Sequence, residues 1–419
     1  MVEFIILTSL AIGILAYALA VRQDRSFINV LTPVYLTFIP AYYVLELVHI
    51  YYFGYSATTG AYAYAYTAYA LNFLVLALAY RYFPAARVGL PFNVNPRIRW
   101  LPYIVLAGSV LVYMPILIEF SDLILSPREI YMRTRSGYGH MFFVSTALTY
   151  IAFVLMLFKQ QSFRGEKLLF FTACVLLCLM HGSKGQVVVL LMIAVMYWAM
   201  AKGKQISMLR GLTLATLFAV GLGSMFYFFQ WRHSDSADGV FMLMSSYADY
   251  NRNAMMLIDD PTLEPQYGRL TVEQNIYTRV PRVLYPAKPK DWGTFWLAKR
   301  YYPVWFEKET GAPSFGIMGV PYADFGKFAI LYLMVWAALG GVLLKIFVTR
   351  LREYRSPCDF IAVLFLCGVS IIPGGVGYML PEHLVLAILV AFVLRLRLTI
   401  QSSRAAIEPD MAGIAVERR

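Results

Sequence analysis

Cations spaced along a proline-stiffened stretch are the first chemistry this sequence offers. In Tyr277-Thr-Arg-Val-Pro-Arg-Val-Leu-Tyr-Pro-Ala-Lys-Pro-Lys290, the side chains of Arg279, Arg282, Lys288 and Lys290 meet no acid until Asp291. Pro281, Pro286 and Pro289 fix φ and remove backbone donors, so the stretch is expected to be a stiff loop and not a long helix. Four cations on such a loop suit a polyanionic group, a lipid headgroup above all.

Other candidates are spread along the chain. Tyr247-Ala-Asp-Tyr-Asn-Arg-Asn253 reads as helical and sets Asp249 and Asn253 on one face with Arg252 nearby. Asp249 is the first candidate for a general base, because an alcohol nucleophile needs an acceptor for its proton; His233, after Arg232, is the second. Each also reads as an ordinary capping or salt-bridging residue. Ser126 and Glu129, with Pro127 between them, predict a capping box opening a short helix, on which Glu129 reaches Arg133. That leaves Arg128 and Arg135, seven apart, as a phosphate clamp or as a solvated face. In His181-Gly-Ser-Lys-Gly-Gln186, the glycines allow close backbone approach while Ser183, Lys184 and a helix start offer donors to an anion; a plain tight turn is the other reading. Glu46 and His49, spaced i, i+3 near the end of an apolar run, are either a site or headgroup-level polar residues. The tyrosines at 51, 52, 55, 62, 64, 66 and 69 suit sugar stacking, and an interfacial belt accounts for most of them without a ligand.

The elements that must carry these residues are membrane helices. The 419 residues are 60% hydrophobic and 14% charged, with mean hydropathy +0.61, too apolar for a soluble globule. Apolar runs near 3–21, 28–50, 63–80, 101–118, 141–158, 168–180, 187–201, 211–229, 328–345, 359–372 and 383–398 predict an all-α polytopic membrane protein of about 11 transmembrane helices. Of the 36 Lys and Arg, 21 fall in connectors on one side and 15 on the other, and 11 of the 15 lie in the one long interval 230–327. Short connectors decide orientation, so the N-terminus is expected outside and the C-terminus in the cytoplasm, with a long extracytoplasmic loop over 230–326. Residues 1–400 then form one integral membrane domain and 401–419 a cytoplasmic, disordered tail. The net charge of +12 is a topology signal and not a sign of nucleic acid. Arg22 and Arg25 follow the first apolar run and nothing basic precedes it, the wrong polarity for a cleaved leader. The four cysteines fall outside the extracytoplasmic loops, so no disulfide is expected. No Asp-x-Asp occurs, which speaks against a metal-bridged nucleotide-sugar donor, and no cofactor or metal is expected.

Together these pieces resemble the Wzy-type oligosaccharide repeat unit polymerases, the O-antigen and exopolysaccharide polymerases. The resemblance rests on the helix count with one dominant outside loop, on Gly182-Ser-Lys-Gly185, on Arg279-x-Pro-Arg282 followed by Tyr285-Pro-x-Lys-Pro289, and on Pro313-Ser-x-Gly316 leading to Tyr322-Ala-Asp-Phe-Gly326. Lys184 stands where arginine is common. The resemblance implies a metal-independent glycosyltransferase of GT-C type in the bacterial inner membrane. It would move a growing glycan from undecaprenyl diphosphate onto a new lipid-linked repeat unit. Asp249, His233 and Arg282 would be catalytic, and Arg128, Arg135, Ser183, Lys184, Arg232, Arg252, Arg279, Arg282, Tyr285 and Lys288 would hold the diphosphate. Beyond membrane lipid and the lipid-linked oligosaccharide, a chain-length regulator (polysaccharide co-polymerase) and a repeat-unit flippase are the partners it implies. The rival readings are an O-antigen ligase, which differs in its acceptor, and a lipid-linked oligosaccharide flippase or transporter. A transporter predicts mid-membrane ionisable residues and repeated halves.

Overall fold

The computed structural model describes residues 1–84, 92–94, 100–124, 126–134, 138–159, 162–231, 239, 240, 242, 245, 249–277, 280, 284–307, 313–369 and 398–400. The described chain is almost wholly helical, and six of its helices are long and apolar enough to cross a membrane. Shorter apolar helices at Gly185–Ala201, Met208–Leu217 and Pro357–Leu366 accompany them. The chain is thus a multi-pass helical membrane protein. Residues 383–397 of the eleventh expected span and the tail over 401–419 lie outside the described residues.

The first helices are α1 (Val2–Asp24), α2 (Thr32–Ile39), α3 (Leu45–Phe53) and α4 (Thr59–Tyr82). Between α2 and α3 the chain widens into a π turn over Pro40–Val44, where Pro40 removes one helical donor. Next come α5 (Leu101–Glu119), α6 (Pro127–Arg133), α7 (Gly139–Phe158), α8 (Arg164–Met180), α9 (Lys184–Met196) and α10 (Met208–Trp231). The long loop holds α11 (Asp249–Asp259), α12 (Arg269–Tyr277), α13 (Thr294–Tyr301), α14 (Pro303–Glu307) and α15 (Gly316–Phe325). It leads into α16 (Ala329–Tyr354) and α17 (Pro357–Leu366). Among the described residues the strand pairing is three residues long, Phe92–Val94 antiparallel to Leu398–Ile400.

α4 is the central post, with α1 and α16 packed along it. Small residues let α16 come close. A Cβ on Gly341 would lie 2.6 Å from the Leu76 carbonyl oxygen and 2.9 Å from the Tyr80 amide nitrogen. The Asn72 side chain completes the contact by donating to Leu333 O at 3.1 Å. In hydrocarbon, where apolar burial gives helices little reason to associate, such close backbone approach and interhelical hydrogen bonds are the cohesive forces.

The long loop is a folded unit with a small apolar core of Leu257, Leu270, Leu297, Phe315, Val320 and Ala323, drawn from α11, α12, α13, α15 and Phe315 just before it. It is pinned by side-chain oxygens set at helix amino ends. Asp324 accepts from Leu270 N (2.9 Å) and Thr271 N (2.7 Å) at the start of α12. Asp259 accepts from Thr58 N (2.7 Å) and from the Thr58 hydroxyl, which ties the end of α11 to the start of α4. Gln274 Oε1 accepts from Thr294 N at the start of α13 (3.0 Å). Helix starts leave unsatisfied N–H groups and a positive dipole end, so an acceptor there both caps and orients.

Candidate active site

The site builds up from the face of α4 that looks toward α3 and α11. Tyr62, Tyr66 and Tyr69 follow one another at helical spacing and are fully buried. The belt reading fails for these three; Tyr51, in the last turn of α3, and Tyr55, on the connector, are exposed as a belt would have them. The buried hydroxyls need partners, and each has one. Tyr62 Oη donates to Glu46 Oε1 (2.7 Å), Tyr66 Oη donates to Tyr42 O (2.6 Å), and Tyr69 Oη donates to Asn251 Oδ1 (2.9 Å). The Asn251 amide returns a bond to Tyr66 Oη at 3.0 Å. Asn251 therefore inserts the first turn of a loop helix into the membrane bundle.

That insertion carries Asp249 and Arg252 to the same seam. Asp249 opens α11 half-buried. Burial holds its carboxyl above the usual carboxylate range, against the pull of backbone N–H groups and Arg252. The charge of Arg252 is felt at Asp249, at Tyr302 and at both Glu46 and His49 of α3. Glu46 is 0% exposed, and its Oε2 has no hydrogen-bond partner among the described residues; the same holds for His49 Nδ1. Asp249 and Arg252 thus share the first turn of α11, while Glu46 and His49 lie one turn apart on α3, side chains able to accept a proton or to face an anion.

The Pro313-Ser-x-Gly316 motif closes this seam from the other side. Asn253 donates to Ser314 O (2.8 Å) and accepts from Tyr302 Oη (2.6 Å). Gly316 has φ +62°, and a Cβ there would meet Tyr250 O and Tyr42 Oη, each at 2.9 Å, so glycine is what lets α15 begin against the site. Tyr322-Ala-Asp-Phe-Gly326 serves the same frame through the cap from Asp324, while Tyr64 Oη donates to Lys327 O at 3.0 Å.

The turn over Gly182-Ser-Lys-Gly185 is set by a separate buried polar chain. His181 is fully buried between Ser145 Oγ (Nε2, 3.0 Å) and Gln186 Oε1 (Nδ1, 2.8 Å). Gln186 donates onward to Thr146 Oγ1 (2.9 Å), and Ser145 meets Ser109. Gly182 takes φ +68°, Ser183 is the N-cap, and α9 starts at Lys184. α6 lies at the same end of α5, α7 and α8, fixed by Ile130 in an apolar cluster with Tyr113, Ile116, Phe142 and Leu177. Ser126 does precede α6 as its N-cap, yet its hydroxyl makes no capping bond; Ile130 is what anchors the helix.

Within the cationic stretch, Lys288 donates to Tyr277 O (2.5 Å) and Val280 O (3.2 Å) and sits 4.7 Å from the centre of the Trp292 ring. It staples the loop. Tyr285 is exposed and stacks on Tyr277, ring centres 6.3 Å apart. Arg135, Arg232, His233, Arg279 and Arg282, and the side chains of Arg128 and Lys184, lie outside what is described. Of the expected site residues, the structure brings Asp249 and Arg252 together, and it adds Glu46, His49 and Asn251. Spacing had singled out the first two of these three; Asn251 carried no separate signal. Among the described residues no group of three His, Cys, Asp or Glu side chains is arranged to hold a metal.

Two curated proteins are similar to the chain along most of its length. Both are described as O-antigen polymerase, from Salmonella typhimurium and Salmonella typhi. Each is 33% identical over 379 residues, covering 89% of this chain and 91% of the relative. No family model matches the chain, and no solved structure matches it.

Proposed function

Because the chain belongs to the O-antigen polymerase family, we propose that it is a GT-C-type glycosyltransferase that polymerises lipid-linked oligosaccharide repeat units at the outer face of the bacterial inner membrane. In this reading a growing glycan leaves undecaprenyl diphosphate and joins the terminal sugar of a newly presented repeat unit. Asp249 takes the proton of the attacking hydroxyl, with His233 as the other acceptor, and Arg282 offsets charge on the departing diphosphate. Arg252 and Arg279 face the same group, while Arg128, Arg135, Ser183, Lys184, Arg232, Tyr285 and Lys288 frame the lipid end of the donor. A chain-length regulator and a repeat-unit flippase are the proposed partners.

The observation that supports this reading is that Asn251, bonded to Tyr66 and Tyr69 of α4, seats the first turn of α11 against the membrane bundle with Asp249 half-buried on that turn and its carboxyl raised by burial. As the bond from the sugar to the lipid diphosphate breaks, the diphosphate leaves as an anion whose developing charge fixed cations can stabilise. The test supplies purified protein with lipid-linked repeat units, no nucleotide sugar and no added metal, and follows glycan length. A ladder of longer products, lost in Asp249→Asn and Arg252→Ala, is the expected result. A wild-type protein that makes no ladder, or an Asp249→Asn ladder equal to wild type, overturns the reading or the base assignment respectively.

A further inference from the structure

One buried histidine has no task in the proposed chemistry. His181 closes the end of α8, and Gln186 lies five residues on, in the first turn of α9; both are buried. The 2.8 Å contact between His181 Nδ1 and Gln186 Oε1 therefore bridges Gly182-Ser-Lys-Gly185 from one end to the other. Its direction follows from the neighbours. Thr146 gives its hydroxyl hydrogen to Phe142 O (2.9 Å), so toward Gln186 it accepts, and the Gln186 amide nitrogen donates to it (2.9 Å). Gln186 Oε1 is thereby turned to the imidazole, and Nδ1 is the nitrogen that donates. Nε2 meets Ser145 Oγ at 3.0 Å, and the centres of the Tyr113 and Phe142 rings lie 4.4 and 5.4 Å from that of the imidazole. Adjacent residues of α7, Ser145 and Thr146, thus hold the two ends of the turn, one through His181 and the other through Gln186.

We infer that His181 is a positioning residue: with Gln186 it forms a clasp that sets the Gly182-Ser-Lys-Gly185 turn before the anionic end of a lipid-linked donor reaches it. That the turn meets the donor rests on the reading proposed above; the clasp itself does not. The turn needs an outside constraint because glycine loses the most backbone freedom on ordering. Gly182 takes φ +68°, and a Cβ on Gly185 would meet nothing within 4 Å, so packing does not restrain the turn at that residue. Without the clasp, the donor itself would have to order the segment that presents Ser183 and Lys184, and that ordering is subtracted from its affinity.

The experiment uses the two amides that imitate either half of the ring: an asparagine amide stands in for the Nδ1–H, a glutamine amide for Nε2. Full-length wild type, His181→Asn, His181→Gln and Ser109→Ala are compared in detergent by the donor concentration that half-saturates ladder formation, by the rate at saturation and by thermal unfolding. Leaving about one backbone residue to be ordered by the donor corresponds to about 10-fold in affinity, so His181→Gln is expected to raise half-saturation about 10-fold while the saturating rate changes less than about 3-fold. His181→Asn keeps the bond to Gln186 and should stay within about 3-fold of wild type in both. Ser109→Ala cuts the polar chain beyond Ser145 and should melt lower at an unchanged half-saturation. Equal effects of the two His181 variants, a fall in saturating rate alone, or a Ser109→Ala shift equal to that of His181→Gln overturn the inference. Should His181→Gln not accumulate, Gln186→Leu removes the clasp from its other end: the same rise in half-saturation supports the inference, and an unchanged value overturns it. If the wild type makes no ladder, the functional reading falls, and direct binding of undecaprenyl diphosphate decides the clasp: about 10-fold weaker in His181→Gln upholds it, equal binding refutes it.

Discussion

Replacing Asp324 should release the start of α12 while leaving the membrane bundle intact. Its carboxylate is buried and accepts two backbone N–H groups, from Leu270 and Thr271, and the adjacent backbone adds Tyr267 N to Asp324 O at 2.8 Å. Hydrogen bonds to a charged group contribute about 1.5 to 3 kcal/mol each, so Asp324→Ala is expected to destabilise the loop locally by about 3 to 6 kcal/mol. Asp324→Asn keeps one acceptor oxygen and should lose about half of that. A nine-residue helix holding on to a small core cannot absorb such a loss, so residues 269–277 should open as a unit. Hydrogen exchange in detergent reads this directly: amides of 269–277 lose protection while those of α4 and α16 keep theirs. Because α12 feeds the cationic stretch, ladder formation should fall with it. Unchanged protection over 269–277 in Asp324→Ala, or protection lost equally throughout, would refute the local reasoning.

Further consequences follow for acidity and packing. The Asp249 carboxyl is held up by burial, and as a base it works only when ionised; activity should therefore fall with decreasing pH through a midpoint above the ordinary value of about 3.9, and a pH–rate profile with a midpoint at or below that value would count against it. For Asp260, burial disfavours the charge, but bonds from Thr262, Tyr301 and Arg300 outweigh it and hold the carboxyl well below the usual range. Its contribution to folding is thus present above about pH 4 and lost as pH falls toward the folded value; Asp260→Asn should lower loop stability at pH 7, with the gap to wild type closing in acid melting curves. Gly341→Ala places a methyl group against the backbone of α4 and should destabilise the bundle by about 1 to 3 kcal/mol, seen as a lowered unfolding temperature with α12 exchange unaffected.

How much of this was written in the residues depends on the scale of the interaction. Membrane spanning was legible because a run of apolar residues has one stable answer in lipid, a helix with all its backbone bonds internal. The break after Pro40 was missed since the run of hydropathy passes smoothly across it. Asp249 and Arg252 were legible as neighbours on one helix, but the bonds of Asn251 with Tyr69 and Tyr66 that seat that helix join positions 182 and 185 residues apart, which local spacing cannot encode. The tyrosines misled for a related reason. A row at 62, 66 and 69 looks the same whether it faces headgroups or a bundle, and only the buried partners Glu46, Tyr42 and Asn251 decide.

The loop's charges sort themselves by the same logic. Arg300 lies 3.1 Å from Asp260, Lys299 lies 2.8 Å from Asp291, and Arg269 stands near Glu273 and over the Trp296 ring. Lys288 has its ammonium directed at backbone carbonyls. A phosphate competing for these cations must first break bonds that hold the loop together, so each recruitment would loosen the frame that presents the donor.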